Sequence, residues 1–309
     1  MRLRTLGRTG LAVSEIGFGC GPTAALMIQG SAEQRREAVA CALDLGINYF
    51  DTAPGYANTV SETHLGLTLR ELNARPFIAT KVALSFDQLD DIGAAVERSV
   101  EQSLQRLQVD QITLIQLHNR IAVQRAAQGE LGNAAVLSLE DVVGVNGVAA
   151  AFERLRMRGL VRFSGCSAFG GDMPMVGQVV EAGRFDVLTV HYSVLNRTAW
   201  SAGADPAVRD YARIGAHANS RQMGIVALRV LEGGTLTADA AANGVGEIRV
   251  RFALRNVDVV EGALRFVLSN PQIAVTLVGF SNIEQIKQAC TYASRGPLPQ
   301  ELLHAIASY

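Results

Sequence analysis

Residues 48–66 read NYFDTAPGYANTVSETHLG. Asn48, Tyr49 and Phe50 open like a short buried strand, and the chain then breaks into small and polar residues around Pro54 and Gly55. A helical pattern follows from about Ser61 to Leu72. This unit of strand, polar turn and helix recurs along the chain. Upstream, Ile16–Cys20 is a strand, and a helix spans Glu33–Leu45, with Ser31 as N-cap, Gln34 as its capping-box partner and Gly46 as the stop. Downstream, FIATKV (77–82) precedes a helix over Asp91–Leu107, whose Val96, Val100, Leu104 and Leu107 share one face. ITLIQLH (112–118) is followed by an irregular stretch from 120 to 145 and a helix near Val148–Arg158. VRFSGCS (161–167) precedes a helix near Met173–Ala182, and DVLTVHY (186–192) one near Pro206–Gln222. GIVALRV (224–230) leads through a glycine-rich stretch to Val259–Ser269. AVTLVGF (274–280) precedes Ile283–Ala293, and a last helix starts near Pro299.

Eight strands of nearly continuous apolar residues, each followed by a helix, fit parallel strands buried on both faces. Eight repeats favour a closed (β/α)8 TIM barrel over a doubly wound open sheet. The open alternative also lacks its phosphate fingerprint, since GFGCGPTAA places Ala24 where the last glycine of G-x-G-x-x-G would stand. The two runs flanking Gly7 and Gly10 read as an N-terminal β-hairpin. Residues 120–145 and 232–256 read as enlarged βα loops at the mouth of the barrel. No domain boundary is visible, so residues 1–309 read as a single barrel domain.

The 309 residues are 49% hydrophobic and 18% charged, with a net charge of −1. That balance, with its scattered arginines, argues against nucleic acid as a partner. No run of about 18 apolar residues occurs, so no transmembrane helix is expected. The N-terminal MRLRTLGRTG lacks the apolar core of a secretory signal. Cysteines 20, 41, 166 and 290 have neither paired nor zinc-like spacing, which suggests reduced thiols in a cytoplasmic protein and no metal. Cys166, at a strand end, reads as a small buried hydrophobe.

In such a barrel the C-terminal strand ends converge on one site. The strands deliver Gly19 and Cys20, Asp51 with Tyr56 just beyond, Lys81, His118 with Asn119, Ser167, His191 with Tyr192, Arg229, and Gly279 with Ser281. A lysine at the end of an apolar strand needs an acid close by, and Asp51 on the neighbouring strand is the natural partner. A lone strand-end histidine or a Lys–Asp pair is more often structural than catalytic. An acid, a phenol, a lysine and a histidine leaving three consecutive strands at one rim carry more weight.

Those residues resemble the aldo-keto reductases. Asp51 in FDTA, Tyr56, Lys81 in TKV and His118 in LIQLH match the family's catalytic tetrad, and SETHLG (61–66) looks like the helix start that follows its tyrosine. The resemblance runs from the hairpin to VGFSNIEQI. It implies hydride transfer between a nicotinamide cofactor and the carbonyl or hydroxyl of a small aldehyde, ketone or sugar, with Tyr56 as general acid/base. Lys81 would lower the phenol pKa, Asp51 would hold Lys81 charged, and His118 would orient the substrate oxygen. The implied cofactor set is Gly19, Ser167, Thr189, Tyr192, Leu228, Arg229, Gly279, Ser281 and Gln285. The chain departs from the family at Ala168, where Asn is usual, at Thr189, where Gln is usual, and at Leu228, where an aromatic is usual; His191 and Asn196 are the nearest substitutes. G-x-S-x-x-x-Q at Gly279, Ser281 and Gln285 precedes a helix whose N-terminus suits a phosphate, with Lys287 or Arg229 as candidate cations. NADP is the expected cofactor, with NAD as the alternative. Two rival readings stand beside this one: a cofactor-binding partner protein similar in fold to potassium-channel β-subunits, and an NAD-dependent sugar or alcohol dehydrogenase working oxidatively. Substrate identity, direction and oligomeric state are not readable at this level.

Overall fold

Each of the eight apolar runs forms a parallel strand, and the eight close into a barrel in the computed structural model, which describes residues 1–127, 133–203, 208–237 and 245–307. An antiparallel hairpin of β1 (Leu3–Thr5) and β2 (Ala12–Ser14) comes first. The barrel strands are β3 (Ile16–Gly19), β4 (Tyr49–Asp51), β5 (Phe77–Val82) and β6 (Ile112–Leu117), then β9 (Val161–Ser167), β10 (Val187–His191), β11 (Gly224–Leu228) and β12 (Val275–Gly279). Between β6 and β9, β7 (Arg120–Ile121) and β8 (Val136–Leu137) make a separate small sheet. The barrel closes where β12 pairs with β3, with Leu277 opposite Gly17 and Gly279 opposite Gly19. The helices are α1 (Leu26–Gln29), α2 (Ala32–Asp44), α3 (Val60–Glu71), α4 (Ile92–Leu107), α5 (Leu139–Val143), α6 (Val148–Met157), α7 (Met173–Glu181), α8 (Ile214–Ser220), α9 (Val245–Ala253), α10 (Val259–Leu268), α11 (Ile283–Ser294) and α12 (Gln300–Ala307).

Strand alternation divides the core in two. Phe18, Phe50, Ile78, Ile115, Leu188 and Ile225 face outward into the layer shared with the helices, where Phe18 stacks on Phe50 at 5.1 Å between ring centroids. Burying side chains of this size stabilises by roughly 1.5–3 kcal/mol each. Tyr49, Ala79, Leu114, Val187, Val226 and Val275 form a smaller inner cluster, and the hairpin's Leu6, Leu11 and Val13 belong to it. The hairpin therefore plugs the N-terminal end of the barrel. Gly7 makes this possible: its φ is +49°, and a Cβ there would lie 2.2 Å from the Gly224 nitrogen. The opposite end, where strands terminate in polar residues, stays open.

Three expectations need correction. The helix expected over 206–222 is confined to α8, because Ala212 and Arg213 take left-handed conformations (φ +48° and +58°) that a helix cannot contain; residues 204–207 lie outside the described set. The stretch 232–256 is not all loop, since α9 occupies Val245–Ala253, while residues 238–244 lie outside the described set. The stretch 120–145 holds β7, β8 and α5, with residues 128–132 outside the described set. Asn119 ties this excursion to the barrel: its Nδ2 donates to the Leu84 and Ala135 carbonyls, and its Oδ1 accepts from the Leu84 N–H. Cys166 is fully buried, and burial pushes its thiol pKa up to about 12. Among the described residues no helix is long and apolar enough to cross a membrane.

Candidate active site

The turn after β4 is built by backbone bonds that suit Pro54 and Gly55. The Tyr56 N–H donates to the Ala53 carbonyl and the Thr59 N–H to the Pro54 carbonyl. Ala57, Asn58 and Thr59 follow in left-handed conformations, and α3 begins at once. The turn is anchored from below: the Ser61 hydroxyl donates to the Cys20 carbonyl and lies 2.8 Å from the Thr52 hydroxyl. Deeper, Glu62 is fully buried, accepting from the Thr80 hydroxyl at 2.5 Å and from Arg106 Nε at 2.6 Å. The SETHLG segment thus clamps the start of α3 to β5 and α4 and fixes where Tyr56 sits.

Lys81 leaves β5 into this frame. Its ammonium donates to Asp51 Oδ1 at 2.5 Å and to the Thr52 carbonyl at 2.7 Å, and lies 4.8 Å from the centre of the Tyr56 ring. Asp51 and Lys81 are both buried. Burial alone would discharge the ammonium, but Asp51 and Tyr56 outweigh it and raise the Lys81 pKa. Burial raises the Asp51 pKa, with Lys81 and a hydrogen bond from Gln116 pulling it back. For Tyr56 burial is also the largest influence and leaves the phenol pKa above its ordinary value, while Lys81 acts to lower it. The net direction differs from the expected lowering, because desolvation of the phenolate exceeds the field of one lysine whose charge Asp51 partly cancels. His118 follows β6, its ring edge-on to Tyr56 at 6.1 Å between centroids. Burial and the Lys81 charge lower its pKa to about 3, so it is a neutral hydrogen-bonding group at ordinary pH.

Beside this cluster runs a cleft of about 330 Å3. Asp51 and Tyr56 line one part, Leu228–Leu231, Gly233, Gly234 and Thr237 another, and Gly279–Ser281 with Gln285, Gln288 and Tyr292 of α11 a third. Gly19 and Gly21 line it as well. Of the expected cofactor residues, Gly19, Leu228, Arg229, Gly279, Ser281 and Gln285 therefore meet at one cleft. Ser167, Thr189 and Tyr192 do not line it. Ser167 is buried, and its Oγ accepts from the Phe169 N–H. Thr189 is buried and donates to Gln116 Oε1 at 2.5 Å. The Tyr192 ring packs between Trp200 and Phe266, and burial pushes its pKa up to about 12. The suggested substitutes are occupied too: His191 Nε2 lies 3.0 Å from Glu232 Oε1, and Asn196 Nδ2 donates to the Arg209 carbonyl. Among the described residues lining the cleft Arg229 is the only cation, and Lys287 is exposed outside that lining. Gln116 was not singled out by sequence reasoning; its signal was a glutamine inside an otherwise apolar strand.

The fold is thus a parallel eight-stranded barrel with an acid, a lysine, a phenol and an imidazole gathered at its open end. The aldo/keto reductase family profile matches residues 15–309, and the chain belongs to that family. It is 27% identical over 304 residues to L-galactose dehydrogenase of Arabidopsis thaliana, covering 93% of this chain and 86% of that one. The fold is similar to that of the holo form of aldo-keto reductase AKR11C1 from Bacillus halodurans, with TM-score 0.78 at 24% identity over 100% of this chain and 96% of that one. It is also similar to an aldo-keto reductase from Klebsiella pneumoniae in complex with NADPH, with TM-score 0.70 at 20% identity over 99% and 93%.

Proposed function

We propose that this oxidoreductase moves a hydride between a nicotinamide dinucleotide and the carbonyl or hydroxyl of a small aldehyde, ketone or sugar. The observation that carries the reading is the placement of the Lys81 ammonium between Asp51 and the Tyr56 ring at the edge of the cleft. The cleft suits an elongated ligand. Gly19, Gly21 and Gly279 line it, and a Cβ at Gly21 would stand 3.5 Å from the Tyr56 ring, so the glycine keeps the space beside the phenol open. Its far end meets the N-terminus of α11, where Asn282 caps Gln285 N–H and the Gln285 side chain accepts from the Ser281 N–H. Those two amides are satisfied within the protein, and what this end offers a phosphate is the positive end of the helix dipole.

When bound, the dinucleotide supplies or takes the hydride. The protein's own residues handle the proton and the charge. Tyr56, protonated at ordinary pH, donates its proton to the substrate oxygen in reduction and takes it back in oxidation. Lys81 stabilises the phenolate left behind, and Asp51 keeps Lys81 charged and aimed. Neutral His118 donates to the same oxygen and stabilises the charge that develops on it. NADP is the favoured cofactor, supported by the NADPH-bound Klebsiella relative and by Arg229, the one cation among the described residues lining the cleft. The oxidative, NAD-linked reading of a sugar draws support from the L-galactose dehydrogenase relative and from the scarcity of cations in the cleft. The buried Lys81–Asp51 pair beside Tyr56 weighs against a pure partner protein, which needs no tuned phenol.

The test is Tyr56→Phe, assayed with NADPH and 4-nitrobenzaldehyde for reduction and with NADP or NAD and an aldose panel for oxidation. Loss of the general acid lowers kcat by about 100-fold or more. Turnover near that of the wild type would remove the tetrad assignment.

A further inference from the structure

Gln116 is fully buried in β6 and stands opposite Lys81 of β5 in the ladder. Its Nε2 donates to Asp51 Oδ2 at 3.2 Å, and its Oε1 accepts from the Thr189 hydroxyl at 2.5 Å. A chain of hydrogen bonds thus crosses the barrel interior from β10 through β6 to β4 and ends on the Asp51–Lys81 pair. Its polarity follows from the charge at one end. A carboxylate only accepts, so the amide must turn its nitrogen to Asp51, and its oxygen then faces Thr189, whose hydroxyl donates. Space for the chain comes from Gly165 on the intervening strand β9, where a Cβ would stand 3.3 Å from Gln116 Cγ and 2.8 Å from the Val187 carbonyl oxygen. Neither Gln116 nor Thr189 lines the cleft. Asp51 meets solvent over 1% of its surface, so its second oxygen depends on Gln116 where water is excluded.

We propose that Gln116, locked by Thr189, is a positioning residue for hydride transfer: it fixes the Asp51 carboxylate, and through it the direction in which Lys81 points at Tyr56. Thr189, in this assignment, anchors the glutamine and does not hold the cofactor. The inference rests on the tetrad reading above. The phenol is faced by Lys81 from β5, Asp51 from β4, Cys20 beyond β3 and His118 beyond β6. Of these, Lys81 and Asp51 are the two whose geometry Gln116 governs, and Lys81 is the group that lowers the phenol pKa.

The experiment compares Gln116→Leu, Thr189→Val and Tyr56→Phe in the full chain. Initial rates with NADPH and 4-nitrobenzaldehyde are measured from pH 6 to 12, a range that extends past the raised phenol, with NADPH affinity from fluorescence titration. For Gln116→Leu we expect kcat to fall about tenfold or more, as loss of a hydrogen bond to a charged group implies. Its alkaline limb moves to higher pH, as Lys81 lowers the phenol less well, while the aldehyde KM and NADPH affinity hold. Thr189→Val, nearly isosteric and leaving Asp51 untouched, shifts kcat and the limb in the same direction by less; it carries the test if Gln116→Leu fails to fold. Wild-type kcat and pH profile in a folded variant, with Tyr56→Phe inactive, would overturn the role of Gln116 alone. Weakened NADPH binding at unchanged kcat in Thr189→Val would return Thr189 to the cofactor and overturn it as well. Full turnover by Tyr56→Phe would instead remove the tetrad beneath it.

Discussion

Replacing Arg106 with methionine tests the clamp that sets Tyr56. Glu62 is fully buried on α3 and is held by Arg106 Nε at 2.6 Å and by the Thr80 hydroxyl at 2.5 Å. Arg106→Met keeps much of the side-chain volume but leaves the carboxylate with the hydroxyl in place of a cation. Breaking a buried pair from one side costs about 3–5 kcal/mol. The Arg106 side chain is 19% exposed, which admits water to the vacated site and points to the lower end of that range. With an unfolding entropy of about 2.1 cal/mol/K per residue, a chain this long loses roughly 1.5 °C of Tm per kcal/mol, so a drop of about 5 °C is expected. Melting followed by far-UV circular dichroism at one scan rate measures it. Adding Glu62→Gln removes the stranded charge and recovers part of the loss, so the double variant should melt well above the sum of the two single effects. A drop below about 1 °C, or strict additivity, would refute the claim that Glu62 and Arg106 form a coupled buried pair.

Three further outcomes follow from the site. His118 has its pKa depressed in the fold, so the unfolded chain binds its proton first and stability falls as pH drops from about 6.5 toward 3; a Tm-versus-pH series should show His118→Gln losing less over that window than the wild type. Gly21→Val would fill the space beside the Tyr56 ring: fluorescence titration should show NADPH affinity reduced about tenfold or more, since remodelling a pocket by a few methyl groups has that scale, with Tm nearly unchanged. Arg229→Ala removes the one cation among the described residues lining the cleft; it should weaken NADPH more than NADH in thermal-shift titrations, and equal weakening would place Arg229 away from the phosphate that distinguishes the two.

The barrel was legible because buried parallel strands are apolar on both faces, and FIATKV and VRFSGCS coincide with β5 and β9. The capping box at Ser31 and Gln34 is present as read, with both reciprocal bonds. Where the reading strayed, local pattern lost to backbone conformation. Residues 206–222 have helical composition, but left-handed Ala212 and Arg213 leave only α8. The meeting of Asp51 with Lys81 was foreseeable because neighbouring strands and the cost of a buried ammonium bring them together. The commitments of Thr189, Tyr192 and His191 were not. Each depends on a partner far away in sequence: Gln116, Phe266 and Glu232. Such pairings are set by tertiary register, which strand-end position alone does not encode. Desolvation at Tyr56 was likewise invisible, since it measures how completely other elements enclose the phenol.

The closing seam of the barrel shapes how the chain is made. β3 finds one neighbour early in β4, but its other neighbour, β12, begins at Val275. The hairpin waits as long: Arg4 donates to the carbonyls of Leu268, Asn270 and Ile273, and Arg2 to that of Ala293. During synthesis on the ribosome, the chain must emerge through Gly279 before the first barrel strand, β3, loses its open edge. Until then it offers unpaired backbone groups to any other nascent strand, a hazard that slow translation ahead of β12 would prolong and a holdase chaperone would relieve.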